Sequence, residues 1–384
     1  MNMLLNSMKQ ASNFTRTENG AITHKTTESA LLDMFAMGGA MRERSVGDVT
    51  LMFKKAYQEN PKYALKCLFY LRDVRGGQGE RRFFRECMKW LAKNDVAAAR
   101  RNLQYVAEFG RWDDLYSFVG TSLEKDAFKI LKSQFILDLN CKTPSLLAKW
   151  LKSENATSEE SRKLGELTCR YFGYHPKQYR KHLSNLRERI RVLERLMSQN
   201  RWEEIEFDKI PSKAGLKYKN AFARRDIIKV KYEKFAKSET TKVNAGTLYP
   251  YEVVEKAINL MGSQSYWGYS KKNVALDNTD RLMINKYWNN LTDYFNGSKL
   301  NALCMVDTSG SMHGTPINVA TSLGLYCAEK AGGPFANHYI SFSSRPQLIE
   351  CEGVDFCDKV DRIVRTNLCE NTNIEAAFDM LLNT

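Results

Sequence analysis

Asp307, Ser309 and Ser311 alternate in the segment DTSGS at 307–311, directly after the apolar run ALCMV at 302–306. A short continuous apolar run reads as a buried parallel strand, which puts the polar segment in the loop at its carboxyl end. One carboxylate and two hydroxyls at alternate positions there converge as hard oxygen ligands. That chemistry suits Mg²⁺ or Mn²⁺. Thr372, in the segment ENTNI at 370–374, returns a third hydroxyl at the start of a later helix. A serine-rich turn is the plainer reading of the pentapeptide alone; the strand before it and Thr372 after it favour the metal. Ser309 as a hydrolytic nucleophile is disfavoured, because none of the five His is placed by a recognisable pattern to act as its base.

The elements that must hold this loop follow from pattern. Residues 315–331 read as a helix with Pro316 in its first turn, 338–342 and 347–351 as short strands, and 354–364 and 374–382 as helices. Strand, helix, strand, strand, helix, helix is the opening of a doubly wound α/β sheet. Earlier in the chain the period is helical. Residues 80–92 place Phe83, Phe84, Cys87, Met88 and Leu91 on one face, and 179–197 carry Leu183, Leu186, Ile190, Leu193 and Met197 at steps of three and four. Three parts are therefore expected: a polar, aperiodic and flexible segment over 1–25, a helical domain over 26–298, and an α/β domain over 299–384, with Asn296, Gly297 and Ser298 as the hinge.

Net charge is +14 and unevenly placed: residues 161–237 carry 21 basic against 9 acidic side chains, whereas 299–384 carry 6 against 10. A concentrated basic surface fits a phosphate backbone or an anionic membrane, with a solvated helical face as the bland alternative. On the helix expected over 179–197, Arg180, Lys181, Arg187, Arg191 and Arg195 lie off the apolar seam, the last three in an i, i+4 row. Arg224 and Arg225 sit in a second basic segment, 213–237, whose Tyr218, Phe222, Tyr232 and Phe235 read as core rather than as base-stacking platforms. These seven cations are the candidate contacts to a phosphate backbone. The segment GGQG at 76–79 lacks the Lys-Ser/Thr of a Walker loop and follows a helix, so it reads as an interhelical turn.

Composition bounds the class. With 384 residues, 43% apolar, 27% charged and only 8 Pro, the chain reads as a folded globular protein of two or three domains. No apolar run approaches the ~20 residues that span a bilayer, and the opening residues lack a signal-peptide core. Nine Cys are scattered without a C-x-x-C pair, which points to reduced thiols in the cytoplasm and away from zinc.

Two resemblances extend these readings. Asp307, Ser309 and Ser311 with Thr372 resemble the metal-ion-dependent adhesion site of von Willebrand factor A domains. The likeness implies that these four residues hold Mg²⁺ directly or through water and present it to a carboxylate of a protein partner. Such domains add a second acidic residue after a fourth strand, which implies that 299–384 is the first half of the domain, needing more chain or another chain to complete its sheet. On that basis it is expected to be the least stable part, cut first by protease after about residue 298.

The stretches YLRDVRGGQGER (70–81), GRWDDL (110–115), Lys149-Trp150, YRKHLSNLR (179–187) and NAGTLYP (244–250) are similar to the HEAT-like helical ring of the Ro autoantigen (TROVE) proteins. They are more similar still to an uncharacterised bacterial, phage and plant family of the same layout. This likeness spans about residues 30–384. It implies a mainly α protein: a HEAT-like antiparallel helical array, ring-shaped as in Ro, followed by a partial α/β doubly wound von Willebrand factor A domain. It also implies binding of structured or misfolded non-coding RNA. The combined reading is a cytoplasmic, non-enzymatic RNA-binding protein, monomeric or weakly oligomeric, with Mg²⁺ or Mn²⁺ at a protein-interaction site and no membrane contact. The rival is a metal-dependent interaction scaffold, or a virion or assembly component, whose basic face docks acidic protein instead of RNA. A metal-dependent hydrolase using Asp307 is a weaker third.

Overall fold

The structure, a computed structural model, describes residues 13–16, 22–261, 277–298, 300–366 and 372–383. It is mainly helical with a small sheet near its carboxyl end, and it divides into two compact units, Met1–Ser198 and Gln199–Thr384.

The first unit opens on an antiparallel pair, β1 (Phe14–Arg16) with β2 (Ile22–His24). The segment expected to be flexible therefore contains paired strands. Three-residue strands are too short to show a period, and Asn13 locks them by donating to Thr26 O at 2.9 Å while accepting from Thr26 N at 3.0 Å. Helices follow: α1 (Ala30–Met37), α2 (Val46–Glu59), α3 (Pro61–Arg72), α4 (Arg81–Asn94), α5 (Val96–Asn102), α6 (Val106–Phe109), α7 (Glu124–Asn140), α8 (Leu147–Trp150), α9 (Glu159–Phe172), α10 (Pro176–Arg189) and α11 (Leu193–Ser198). Their starts are chemically marked. Ser29, Ser45, Asn60, Asp95 and Ser158 each accept from the backbone N–H three residues on, capping α1, α2, α3, α5 and α9. The apolar face expected on 80–92 is the core of this unit: Phe83, Phe84, Cys87, Met88 and Leu91 are buried.

The single helix expected over 179–197 is two helices. α10 stops at Arg189, Arg191 turns left-handed with φ 49°, and α11 starts at Leu193. A long-range contact overrides the local pattern here. The Arg189 guanidinium donates to the carbonyls of Asp138 at 3.1 Å and Leu139 at 3.3 Å, at the end of α7. Arg187, Arg191 and Arg195 consequently do not form the helical row expected of them.

The second unit holds α12 (Ser212–Ala223), α13 (Asp226–Lys237), α14 (Pro250–Met261) and α15 (Asn278–Asn289), then β3 (Cys304–Asp307), α16 (Thr315–Lys330), β4 (His338–Phe342), β5 (Leu348–Glu350), α17 (Phe356–Thr366) and α18 (Ile374–Leu382). Phe222 and Tyr232 are buried against Phe207, with ring centroids at 5.3 and 5.0 Å, so these aromatics are core. The sheet order is β3-β4-β5. β3 runs parallel to β4 with Val306 opposite Ser341, and β5 antiparallel to β4 with Ile349 opposite Tyr339. α16 lies against β3 at Gly324, where a Cβ would stand 2.3 Å from Val306 Cγ2. Glycine is required there by closeness, not by backbone angle.

The unit starts at Gln199, well before the boundary expected near residue 298. The reason is packing. Trp288 of α15 stacks on Phe356 of α17 with centroids 4.1 Å apart and donates Nε1 to Glu329 of α16 at 2.7 Å. Arg281 grips Asp355 at 2.7 and 2.8 Å and also reaches Asp358, while Asn285 donates to Asp355 at 2.7 Å. α14 and α15 thus cover α16 and α17, and the turn at Asn296 and Gly297 lies inside the unit. Among the described residues no helix is long and apolar enough to cross a membrane.

Candidate functional site

Asp307 is the last residue of β3, and the chain turns at once into a loop that its own side chain shapes. Asp307 Oδ1 accepts from Ser309 N at 2.9 Å, and the Ser309 and Ser311 hydroxyls are 3.1 Å apart. Thr308 and Ser309 are buried and Ser311 is exposed, so the oxygens run from the sheet edge out to solvent. Residues Gly310–Met312 form a short 3₁₀ turn, and Gly314, with φ 89°, releases the chain into α16. The structure therefore brings Asp307, Ser309 and Ser311 together. It places Thr372 exposed, just ahead of α18, without a hydrogen bond to them among the described residues, and Glu370 and Asn371 lie outside those residues.

The donor set fits a hard cation in part. Among the described residues no three His, Cys, Asp or Glu side chains converge. A cation here would rest on one carboxylate and hydroxyls, with water completing its shell, a combination open to Mg²⁺ or Mn²⁺ and poor for zinc. Beneath the loop, Cys304 of β3 accepts a thiol hydrogen bond from Cys327 of α16, which draws the Cys304 thiol down to about 7 and pushes Cys327 up.

The seven cations read as RNA contacts are in different circumstances. Arg180 pairs with Glu154 at 2.6 Å, and Arg195 with Glu188 at 2.9 Å and Ser184 at 3.0 Å. Arg187 is spent inside the fold, donating to Ala148 O and Leu151 O at 2.9 Å each, and burial lowers its pKa. Lys181 and Arg191 are exposed. Arg224 and Arg225 are exposed between α12 and α13 in the other unit, with Arg225 stacked 4.9 Å over Trp202.

Sequence spacing assigns no role to Arg72, Asp113 and Asp114, which form a buried ionic knot in the first unit. Arg72 donates Nε to Asp114 Oδ2 at 2.8 Å, and Gly110 makes room for the pair, since a Cβ there would meet Asp114 Oδ2 at 2.4 Å. All three lie in stretches that carry the family likeness, 70–81 and 110–115, but nothing in their spacing pairs them. The GGQG segment is the turn between α3 and α4 that its position suggests: Gln78 N and Glu80 N donate back to Tyr70 O and Leu71 O.

The chain matches the profile of a domain of unknown function, DUF2828, over residues 17–168 and 145–298, a span that takes in α1 to α15. The chain belongs to the DUF2828 family. A second profile, another domain of unknown function, DUF7788, matches residues 301–384. The DUF2828 match thus ends where the Asp307 strand is about to begin, although α14 and α15 of that region pack into the same compact unit as the strand. The chain is also 30% identical over 414 residues to an uncharacterized protein, L728, of Acanthamoeba polyphaga mimivirus, covering 96% of this chain and 69% of that protein. The knot of Arg72 with Asp113 and Asp114 falls inside the DUF2828 region, and the Asp307 loop inside the DUF7788 region.

Proposed function

We propose that this DUF2828 protein binds RNA through its basic helices and engages a protein partner through a divalent cation, Mg²⁺ or Mn²⁺, held at the Asp307 loop. The activity is binding and not catalysis. The observation that carries the reading is the loop itself: a carboxylate and two hydroxyls gathered at the carboxyl end of a parallel strand, beside the start of α16. Few protein charges would neutralise the cation there, which leaves it electrophilic toward a carboxylate from outside. Asp307, Ser309 and Ser311 would hold it, with Thr372 as the fourth oxygen that the likeness implies.

The RNA half rests on the 21 basic side chains of 161–237 and on the exposure of Lys181, Arg191, Arg224 and Arg225. In the same reading the helices are a HEAT-like array of the Ro type and the sheet belongs to a von Willebrand factor A-like domain. The parallel β3–β4 pair followed by antiparallel β5 supports the latter. The protein acts in the cytoplasm. The test is nucleic acid retained on the purified chain: RNA that leaves as salt is raised supports the reading. A cation-dependent protein partner captured with no RNA would favour a scaffold or virion component, and turnover of any substrate would favour a hydrolase.

A further inference from the structure

Three guanidiniums grip two carboxylates where α4 meets the loop after α6, and a fourth stands within electrostatic reach of them. Asp114 Oδ2 takes Arg72 at 2.8 Å and its Oδ1 takes Arg85 Nε at 2.7 Å. Asp113 takes Arg111 on both oxygens, at 2.8 and 2.6 Å, and Arg85 Nη2 at 3.0 Å. Every carboxylate oxygen is thereby used. Arg81, one turn before Arg85 and on the same face of α4, adds a fourth cation for which no carboxylate remains. Four positive charges against two negative leave a surplus of two.

Arg81 is exposed and, among the described residues, makes no hydrogen bond or ion pair. Partial burial, with repulsion from Arg111 and Arg85, holds its pKa below the ordinary value. Arg85 and Arg111 are 27% and 25% exposed, and the Nη1 of each is unbonded among the described residues. Arg111 also lies over the Trp150 ring, 3.9 Å from its centroid, with Lys149 at 5.7 Å. The buried acids fix Arg85 and Arg111 in place, so the outward N–H groups are set before anything binds.

We propose that Arg81, Arg85 and Arg111 form a binding site for a phosphate group of single-stranded RNA, an assignment that rests on the RNA-binding reading for its ligand. Guanidinium forks match phosphate oxygens in pairs. An anion set between the three relieves the uncompensated repulsion that Arg81 carries. The site is open at the surface, with a tryptophan and a lysine alongside, which suits one residue of an extended chain.

The experiment is fluorescence anisotropy of a labelled oligouridylate with the full chain and with Arg81→Gln. Arg81 has no partner to lose, so the variant should keep the parent's thermal midpoint. Its affinity should fall about tenfold, as for one charge-assisted hydrogen bond, and its log–log salt slope by about 0.7. Parent-like affinity in the folded variant would overturn the site while leaving RNA binding intact. If the parent itself fails to bind RNA, the RNA reading fails, and a pyrophosphate titration then decides the site alone. Pyrophosphate binding weakened in Arg81→Gln would support it; no binding, or equal binding by both proteins, would overturn it.

Discussion

Arg72 Nη2 lies 2.8 Å from Asp114 Oδ2, with 2% of one side chain and none of the other exposed. Two opposite charges are sealed in the first unit and depend on each other. Asp114 also takes Arg85 at 2.7 Å and the backbone N–H of Arg111 at 2.9 Å, so its carboxylate ties α3, α4 and the loop after α6 together. Asp114→Ala would strand the Arg72 charge. It should destabilise the first unit by about 3–5 kcal/mol, read as a lower urea midpoint, whereas Arg81→Gln should leave that midpoint where it was.

Proteolysis separates two views of the boundary. A free half-domain would be cut first after about residue 298. Because Trp288 stacks on Phe356 at 4.1 Å and Arg281 grips Asp355, early cleavage at the Asn296–Gly297 turn is not expected to release the α/β part. The two pieces should stay together on gel filtration until Trp288→Ala removes the stack. Prompt separation of the nicked parent would contradict this packing.

The same contact sets a pH dependence. Burial raises the Asp355 pKa, but bonds from Arg281, the Asp358 backbone and Asn285 outweigh it and leave the pKa below the ordinary value. A depressed carboxyl contributes stability that is complete above the unfolded value of about 3.9 and is lost as pH falls through the lower folded value. Asp355→Asn should therefore narrow the stability gap between pH 6 and pH 3 compared with the parent, measured by thermal melting at both. An equal gap in the two proteins would show that Asp355 is not the titrating group.

Cys304 should react faster near neutral pH than Cys67, Cys169, Cys351 or Cys357. Its thiol hydrogen bond from Cys327 draws it to about 7, whereas burial pushes Cys67 and Cys169 up to about 11 and Cys351 and Cys357 up to about 12. Iodoacetamide at pH 7.5, followed by peptide mass mapping, should modify Cys304 ahead of these four. Cys327→Ala removes the donor and should slow Cys304 alkylation several-fold. An unchanged rate would mean that the two thiols do not communicate.

The α/β elements were legible because each carries its own signal: an apolar strand before Asp307, Pro316 at a helix start, and apolar runs bounding Ser343 to Pro346. The buried face of α4 was legible for the same reason, its Phe83, Phe84, Cys87, Met88 and Leu91 repeating at helical spacing. What sequence pattern could not show was set by distant partners. The break at Arg189 answers to carbonyls at the end of α7, and Arg187 is drawn to Ala148 and Leu151, so the basic row dissolves for reasons written elsewhere in the chain. The family matches break at 298 and 301, where the sequence sets the boundary, while the compact unit reaches back to Gln199 because α15 finds its apolar partner in Phe356, beyond the sheet. At the candidate site, Asp307, Ser309 and Ser311 are neighbours in sequence and stay neighbours in space, while Thr372 depended on tertiary placement that local pattern does not supply.

A cation at Asp307 is tested most directly by calorimetric titration of Mn²⁺ into the full chain, beside Asp307→Ala and Ser309→Ala. With one carboxylate and hydroxyl donors the affinity should be weak, on the order of 0.1–1 mM. Binding should vanish in Asp307→Ala and be much reduced in Ser309→Ala, both variants remaining folded. Binding by Asp307→Ala equal to that of the parent would place any cation elsewhere and remove the basis for a cation-dependent partner at this loop.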